Sequence, residues 1–214
     1  MVYNYDYRGN RILMSVEGST DVSYTIGNNN KTTGIIAAGM PTVLTYDVRG
    51  NMISKGTSTY VWDYKDRLIQ ATLPGKQIEY SYNTADRKVR EIRNNKAVYY
   101  FYNGDKLLCE KLSQNRMLKI YINDNEGILG MQRYSYDIST EEFLGTQKMY
   151  YLFDELGSVV AITNADGMPL KYYIYDPWGN VINTQDDPIN NFSFIGRYGG
   201  QRDWNTGLTQ FVHR

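Results

Sequence analysis

The sequence is poor in the side chains that build catalytic and metal-binding sites. It has one cysteine and one histidine among its 214 residues. A single cysteine excludes an internal disulfide, and a single histidine excludes a histidine-rich zinc site. We expect Cys109 to be a packing thiol, because nothing around it in the sequence would activate a nucleophile. We expect a structural or exposed role for His213, and no cofactor or metal.

The sequence also lacks an excess of charge and long apolar runs. Lys and Arg together number 23, as do Asp and Glu, so no basic surface is available to attract nucleic acid. No apolar stretch approaches the roughly 18 residues that a membrane helix needs. The start, MVYNYDYRGN, has no signal-peptide core. We therefore expect neither a nucleic-acid partner nor a membrane-spanning helix.

Tyrosine and glycine are abundant instead, with 21 and 19 residues respectively. Tyrosine favours strands, and its hydroxyl group tolerates a half-exposed surface. Glycine, asparagine and aspartate favour tight turns. The composition is typical of an all-β protein with many turns.

A repeated motif organises the chain. Tyr-Asp-x-x-Gly-Asn occurs as YDYRGN (5–10), YDVRGN (46–51) and YDPWGN (175–180). Related pairs of an aromatic residue followed by Asp or Asn recur at intervals near twenty residues. We call the aromatic residue the anchor, and the pairs are Tyr5-Asp6, Tyr46-Asp47, Trp62-Asp63, Tyr82-Asn83, Tyr102-Asn103, Phe153-Asp154 and Tyr175-Asp176. Weaker copies fit YTIGNNN (24–30) and YINDNEG (121–127).

Each copy predicts the end of a strand and a hairpin turn. Ile78, Tyr80 and Tyr82 alternate with polar residues, which indicates a strand with one apolar face, and 88–93 is the predicted return strand. Aspartate at the first turn position can accept hydrogen bonds from backbone N–H groups, and glycine at the fourth tolerates positive φ. The predicted turn glycines are Gly9, Gly50, Gly157 and Gly179. Residues 140–153 are also predicted to form a strand.

A lone hairpin is marginally stable in water, so the copies must pair with one another. The sequence therefore predicts an all-β fold in which consecutive antiparallel β-hairpins form one long, twisted and curved sheet. Its terminal strands would be exposed edges, and we expect self-association through them.

The C-terminal third resembles the Rhs repeat-associated core, over YYLFDELGSVVAITNADGMPLKYYIYDPWGNVI (150–182) and FSFIGRYGGQRDWNTGLTQFVHR (192–214). Upstream, LTYDVRGNMI and WDYKDRLIQAT resemble the YD repeats of the same family. That family includes bacterial Rhs and wall-associated polymorphic toxins, the C component of Tc insecticidal complexes, and animal teneurins. The most specific positions are Asp154, Leu156, Gly157, Ser158, Tyr175, Asp176, Pro177, Gly179, Gly196, Thr206, Gly207 and Leu208.

The resemblance implies divergent YD-type repeats over 1–42, YD repeats over 43–149 and a truncated core segment over 150–214, all in one continuous β domain. It implies a non-catalytic scaffold, secreted or at the cell surface, whose sheet spirals into a shell or cocoon around a C-terminal toxin. The expected partners are that toxin cargo or the remaining shell repeats of a longer chain. We expect a fragment, a truncated gene remnant or a short relative. The family's aspartyl self-cleavage motif has no matching positions here.

Two other functions are compatible with the residues. Trp62 and Trp178, and with them Trp204, could stack on sugar rings, which would suit a cell-surface carbohydrate-binding or adhesion module. A glycosidase would need two facing carboxylates. The candidate pairs are Asp186-Asp187, Glu141-Glu142 and Asp63 with Asp66. Most of these lie in predicted turns, where acidic residues are expected anyway, so the structural interpretation is favoured.

Overall fold

The fold is built from strands and tight turns. A computed structural model describes residues 1–112, 116–137, 139–184, 187 and 189–211. In these ranges the only helical elements are two short 3₁₀ turns, Asn28–Asn30 and Gly196–Tyr198. Within the same ranges, no helix is both long and apolar enough to cross a membrane. The predicted all-β fold is confirmed.

The chain divides into two compact units, Met1–Tyr80 and Ser81–Arg214, with the boundary inside one strand. Unit 1 is an antiparallel meander in which each strand pairs with the next. Its strands are β1 (Val2–Tyr5), β2 (Arg11–Ser15), β3 (Val22–Ile26), β4 (Thr32–Ala37), β5 (Met40–Tyr46), β6 (Met52–Lys55), β7 (Ser58–Trp62), β8 (Leu68–Leu73) and β9 (Lys76–Tyr82), the last crossing the boundary.

Unit 2 continues with a second antiparallel meander. Its strands are β10 (Lys88–Arg93), β11 (Lys96–Asn103), β12 (Lys106–Leu112), β13 (Met117–Asn123), β14 (Ile128–Tyr136), β15 (Phe143–Phe153), β16 (Val159–Thr163) and β17 (Pro169–Tyr172). The predicted strands around 78–82, 88–93 and 140–153 are present. A two-stranded ribbon, β18 (Gln201–Arg202) and β19 (Thr209–Gln210), follows in the C-terminal segment.

Turns of two kinds alternate in unit 1. The motif turns, such as 6–9 and 47–50, close one end of the meander, and shorter turns such as 38–39 and 74–75 close the other. Successive turns of an antiparallel meander lie at opposite ends of the strands, so every second turn lies at the same end. The motif turns of a unit therefore lie at the same end of its strands, because two strands separate one motif turn from the next.

Two predicted copies differ in detail. The turn after Tyr102 contains two residues, because Asn103 pairs directly with Lys106. In the copy at 121–127, the residue before the turn aspartate, Asp124, is Asn123 rather than the tyrosine used to align it. Tyr121 lies two positions earlier, on the buried face of β13. Residues two positions apart on a strand share a face, so Tyr121 fits the pattern although Asn123 is the anchor, and the predicted anchor was wrong.

The core of unit 2 combines apolar side chains with buried tyrosines. Its buried cluster includes Met131, Met149, Val159 and Ile162. The buried tyrosines are Tyr100, Tyr121, Tyr151 and Tyr173. Each of these four hydroxyl groups donates to a buried side chain: Glu91, Glu110, Asn190 and Asp187 respectively. Burial of a phenol is favourable here because its polar end finds a partner.

The buried carboxylates are neutralised by nearby cations. Glu91 pairs with Lys88, at 3.0 Å, and with Arg93. Glu110 pairs with Lys119 at 3.3 Å. Burial by itself would raise the pKa of Glu91, but the charges of Lys88 and Arg93 outweigh it and lower the pKa to about 2. Removing one partner of such a pair leaves an uncompensated buried charge.

Stability is expected to fall in acid because of Glu91. Its folded pKa of about 2 lies below the ordinary 4.5, so between those pH values the unfolded state binds more protons. The carboxylate then contributes about 3 kcal/mol above pH 4.5, at about 1.4 kcal/mol per pKa unit, and loses it as pH falls towards 2. Urea unfolding across this range measures the loss.

Glu91→Gln is the control, because it removes the titrating group and keeps the shape of the side chain. The variant should be less stable at neutral pH and show a shallower decline in acid. An equally steep acid decline in Glu91→Gln would assign the effect to other groups.

Candidate functional site

The motif turn, which we call the YD corner, is a hydrogen-bonded hairpin loop closed by its aspartate. In the first copy, Asp6 Oδ1 accepts the backbone N–H groups of Arg8, at 2.9 Å, and Asn10, at 2.8 Å. The Gly9 N–H donates to the Asp6 carbonyl at 3.0 Å. Gly9 has φ +81°, in the left-handed region that glycine reaches without strain. The motif fixes this conformation locally.

The final asparagine of Tyr-Asp-x-x-Gly-Asn holds the second carboxylate oxygen. Asn10 Nδ2 donates to Asp6 Oδ2 at 2.9 Å, and Asn51 makes the same bond to Asp47 at 3.0 Å. The third copy repeats it, from Asn180 to Asp176. This side-chain bond is the main reason why the pKa of Asp6 and of Asp47 lies below its usual value. The sequence pattern shows that this asparagine recurs, but not what it binds.

Other copies reach the same geometry with different side chains. Arg67 replaces the asparagine and donates to Asp63 Oδ2 at 2.7 Å through Nε. Asn83 replaces the aspartate and accepts the N–H groups of Ala85 and Arg87, both at 3.0 Å. The conformation of the corner is therefore retained where the motif letters change.

In several copies the anchor side chain is hydrogen-bonded to the residue that follows the preceding corner. Tyr46 Oη donates to the carbonyl of Thr32 at 2.7 Å, and Trp62 Nε1 donates to the carbonyl of Met52 at 2.8 Å. Met52 is the first residue after the corner at 47–51. Thr32 follows the turn closed by the Gly27 N–H and the Lys31 carbonyl in the same way.

Unit 2 repeats this contact. Tyr102 Oη donates to the Lys88 carbonyl at 2.9 Å, and Tyr175 Oη donates to the Val159 carbonyl at 2.6 Å. Asn123, in the copy that was misaligned, donates to the Leu107 carbonyl at 3.0 Å. The copies that make this contact therefore share a side-chain hydrogen-bond donor at the anchor position, whereas Phe153 has none.

Side chains also join neighbouring corners in unit 1. Asn51 Nδ2 donates to Asp66 Oδ1 at 2.7 Å, and Arg49 Nε lies 3.1 Å from the same oxygen. Arg67 Nη2 lies 2.6 Å from Asp63 Oδ2. The carboxylates of Asp63 and Asp66 are thus bound to donors of the corners, a structural role rather than the paired acid and base of a glycosidase.

A C-terminal segment comprising Asp187 and residues 189–211, which we call the cover, packs on the buried face of unit 2. Phe192 lies edge-on to Tyr121, with ring centroids 5.2 Å apart, and 6.2 Å from Tyr151. The Val159 N–H donates to the Ser193 carbonyl at 3.0 Å. The cover therefore supplies both apolar and backbone contacts to the strands beneath it.

Two buried polar residues fasten the cover. Asp187 accepts the hydroxyl of Tyr173 and lies 3.1 Å from Lys171 Nζ. Asn190 Oδ1 accepts the Tyr151 hydroxyl at 3.0 Å, and its carbonyl accepts Trp204 Nε1 at 2.6 Å. The packing of the cover is thus specified by directional bonds as well as by apolar burial.

The glycines of the Rhs core signature lie where the cover approaches the corners. A Cβ atom on Gly157 would lie 2.5 Å from the ring of Tyr198, and one on Gly179 would lie 2.4 Å from the ring of Phe194. The neighbouring Ser158 Oγ accepts the Ile195 N–H at 3.1 Å. The corners at 154–158 and 176–180 are thereby brought against one segment, which the sequence did not reveal.

The remaining candidate residues do not form a reactive cluster in the described ranges. Trp62 is half-buried, and its indole N–H donates to the Met52 carbonyl. Trp178 is 40% exposed. Burial raises the pKa of the Cys109 thiol, which opposes nucleophilic reactivity. His213 and Asp186 lie outside the described residues. Among the described residues, no group of three His, Cys, Asp or Glu side chains is arranged to hold a metal ion.

The anchor hydrogen bond can be tested with Tyr46→Phe, which removes one hydroxyl and leaves the Thr32 carbonyl without this donor. We expect a loss of about 1 kcal/mol in the free energy of unfolding, measured by urea denaturation. Tyr64→Phe is the control, because Tyr64 is 79% exposed and should tolerate the change. Equal stability of the two variants would show that the anchor bond contributes nothing.

The contact between cover and corner can be tested with a matched pair of glycines. Gly179 and Gly167 have nearly the same φ, +80° and +79°, but only Gly179 faces a ring within 4 Å. Gly167→Ala should cost about 1 kcal/mol of backbone strain. Gly179→Ala should cost about 1–3 kcal/mol more, because the added methyl group overlaps Phe194. Identical losses in thermal or urea unfolding would contradict the close contact.

Comparison with known proteins identifies the repeat. A family model described as the teneurin YD-shell matches residues 1–214. The tRNA3(Ser)-specific nuclease WapA of Bacillus spizizenii is 32% identical over 222 residues, which cover 99% of this chain and 9% of that protein. Teneurin-1 of Homo sapiens is 25% identical over 231 residues, which cover 99% of this chain and 8% of that protein.

A solved structure shares the fold. The Tc holotoxin pore of Photorhabdus luminescens matches with a TM-score of 0.58 at 16% identity, over 91% of this chain and 11% of that chain. This chain therefore spans less than a tenth of the length of the two relatives above. The predicted relationship to Rhs and YD-repeat proteins is confirmed, and the chain belongs to the teneurin YD-shell family.

Proposed function

We propose that this chain is a non-catalytic wall segment of a YD-repeat shell, and that in its longer protein the shell encloses a C-terminal cargo polypeptide. The observation that carries the proposal is the hydrogen bond from the anchor side chain to the carbonyl of the residue after the preceding corner, which five copies make. The bonds from Tyr46 to Thr32 and from Tyr175 to Val159 are examples in the two units. Such a bond fixes one repeat against the next, which is what a wall requires.

The chemistry of the buried charges supports a scaffold. Glu91, Glu110 and Asp187 each bind a tyrosine hydroxyl and a lysine. These carboxylates therefore bind side chains of the protein itself, and each negative charge is balanced by a cation. A general acid or base needs instead a proton exchangeable with a substrate.

The relatives give the proposed context. The WapA protein is named a nuclease, but this chain covers 9% of it. We assign any such activity to other parts of a longer chain, and to this segment the role of enclosing. Enclosure of a toxin and placement outside the cell or at its surface are carried over from the family as parts of the proposal. The partners would be the cargo and further shell repeats.

The proposal is tested by protease protection. The chain is expressed with its full natural flanking sequence, and the segment that follows it is probed with a nonspecific protease under native conditions. We expect that segment to resist cleavage at protease concentrations that degrade it when it is expressed alone. Cleavage at equal rates in both contexts would reject enclosure by this protein.

Three variants distinguish enclosure from a general resistance of the fold to protease. Tyr46→Ala and Tyr175→Ala remove anchor bonds and should make the following segment more sensitive to protease. Tyr64→Ala is the control. It removes an exposed tyrosine that lies in a corner but is not an anchor, and it should leave the protection of the following segment unchanged. Equal protease protection in the anchor variants and the natural chain would contradict a wall held together by anchor bonds.

A further inference from the structure

The corners of unit 1 differ in the chemistry of their fourth residue, counted from the position of the motif aspartate. The corners are 6–10, 27–31, 47–51 and 63–67. Their fourth residues are Gly9, Asn30, Gly50 and Asp66, all with φ between +56° and +96°. Glycine adopts this left-handed conformation without strain, whereas asparagine and aspartate adopt it less readily. A contact that glycine cannot make would explain the two polar residues.

Each of the two polar residues accepts a hydrogen bond from the fifth residue of the preceding corner. Asn10 Nδ2 donates to Asn30 Oδ1 at 3.2 Å. Asn51 Nδ2 donates to Asp66 Oδ1 at 2.7 Å. Both bonds join successive corners, and both use the same two positions. The polar side chain at the fourth position therefore serves as an acceptor for the repeat before it.

The fifth residue also reaches the next corner where the fourth residue is Gly50. Lys31 Nζ lies 3.2 Å from the position that a Cβ atom on Gly50 would occupy. The same Nζ lies 5.3 Å from the centre of the Tyr46 ring, within the range of a cation–π contact. With no side chain at the fourth position, the ammonium group of the preceding corner thus contacts the anchor ring instead.

Unit 2 contains a charged version of the same contact. Arg87 is the fifth residue of the corner at 83–87, and its guanidinium pairs with the carboxylate of Asp105. Asp105 is the last residue of the next turn at this end of the strands, directly before Lys106. It therefore takes the place that the fourth residue has in a longer corner.

We propose that the fifth residue of one corner and the fourth residue of the next are positioning residues, which hold successive repeats of the wall in register. This inference rests on the proposed role of the chain as a wall segment. The anchor bond ends on a backbone carbonyl, which every repeat offers. The contact between corners needs a side-chain donor facing an acceptor, and two carboxylates there would repel each other. The pair thus restricts which repeat can follow which.

The pair in unit 1 is tested by a double-mutant cycle on Asn51 and Asp66 in the full chain, measured by urea unfolding. Asn51→Ala also breaks the bond to Asp47, and Asp66→Gly also removes the ion pair with Arg49. The coupling between the two changes therefore isolates the pair. We expect the double variant to unfold with an equilibrium constant about threefold or more lower than the two single effects combined. Strictly additive effects would overturn the proposal.

A glycine control separates the lost contact from relief of backbone strain. Ala38 is exposed and has φ +50°, so Ala38→Gly should raise the urea midpoint. Asp66 has φ +60°, and Asp66→Gly relieves similar strain. We nevertheless expect Asp66→Gly to lower the midpoint, because the donors of the preceding corner lose their acceptor. Equal gains in the two variants would show that Asp66 positions nothing.

The charged pair in unit 2 allows a test by rescue. Arg87→Asp and Asp105→Arg each bring like charges together, so each should lower the urea midpoint, and the loss should shrink at high salt. The exchange of both residues restores opposite charges and should recover most of the loss. A double variant as unstable as the single ones combined would contradict the pairing. These measurements do not involve a cargo, so their failure would leave enclosure itself untouched.

Discussion

The hydrogen bond from an anchor side chain to the carbonyl after the preceding corner is the constraint on which each unit depends. Hairpin turns by themselves only reverse the chain. The bonds from Tyr46, Trp62, Tyr102 and Tyr175 tie one reversal to the next. A repeat protein needs such contacts because a single repeat is too small to be stable alone. The preference for tyrosine and tryptophan at the anchor follows, since both carry a donor at the end of a large apolar ring.

A second layer of organisation is polar and buried. In unit 2 the tyrosine hydroxyls are satisfied by Glu91, Glu110, Asp187 and Asn190, and lysines balance the three carboxylates. A face lined with phenols could not be buried without these acceptors. The cover uses the same chemistry through Asp187 and Asn190, so its position on the strands is set by bonds of fixed direction. These contacts account for the charged and amide side chains that are buried in unit 2.

A repetitive β-sheet protein can aggregate through the exposed edges of its terminal strands. Strands that pair readily with their neighbours also pair readily with strands of other molecules. At β17, Pro169 has no backbone N–H, and the side chain of Asn183 binds the Tyr172 carbonyl and the Ile174 N–H.

The sequence by itself determined the all-β class, most of the corners and the resemblance to the family. Alternation around Ile78 and Tyr80 and the aspartate and glycine of each motif act over a few residues, so local pattern was sufficient. Tertiary structure alone decided which carbonyl each anchor meets, that Asn123 replaces Tyr121 as an anchor, and that the glycines at 157 and 179 make room for the cover. These contacts join residues far apart in sequence, and their partners are mostly backbone atoms, which every residue possesses and no sequence pattern marks.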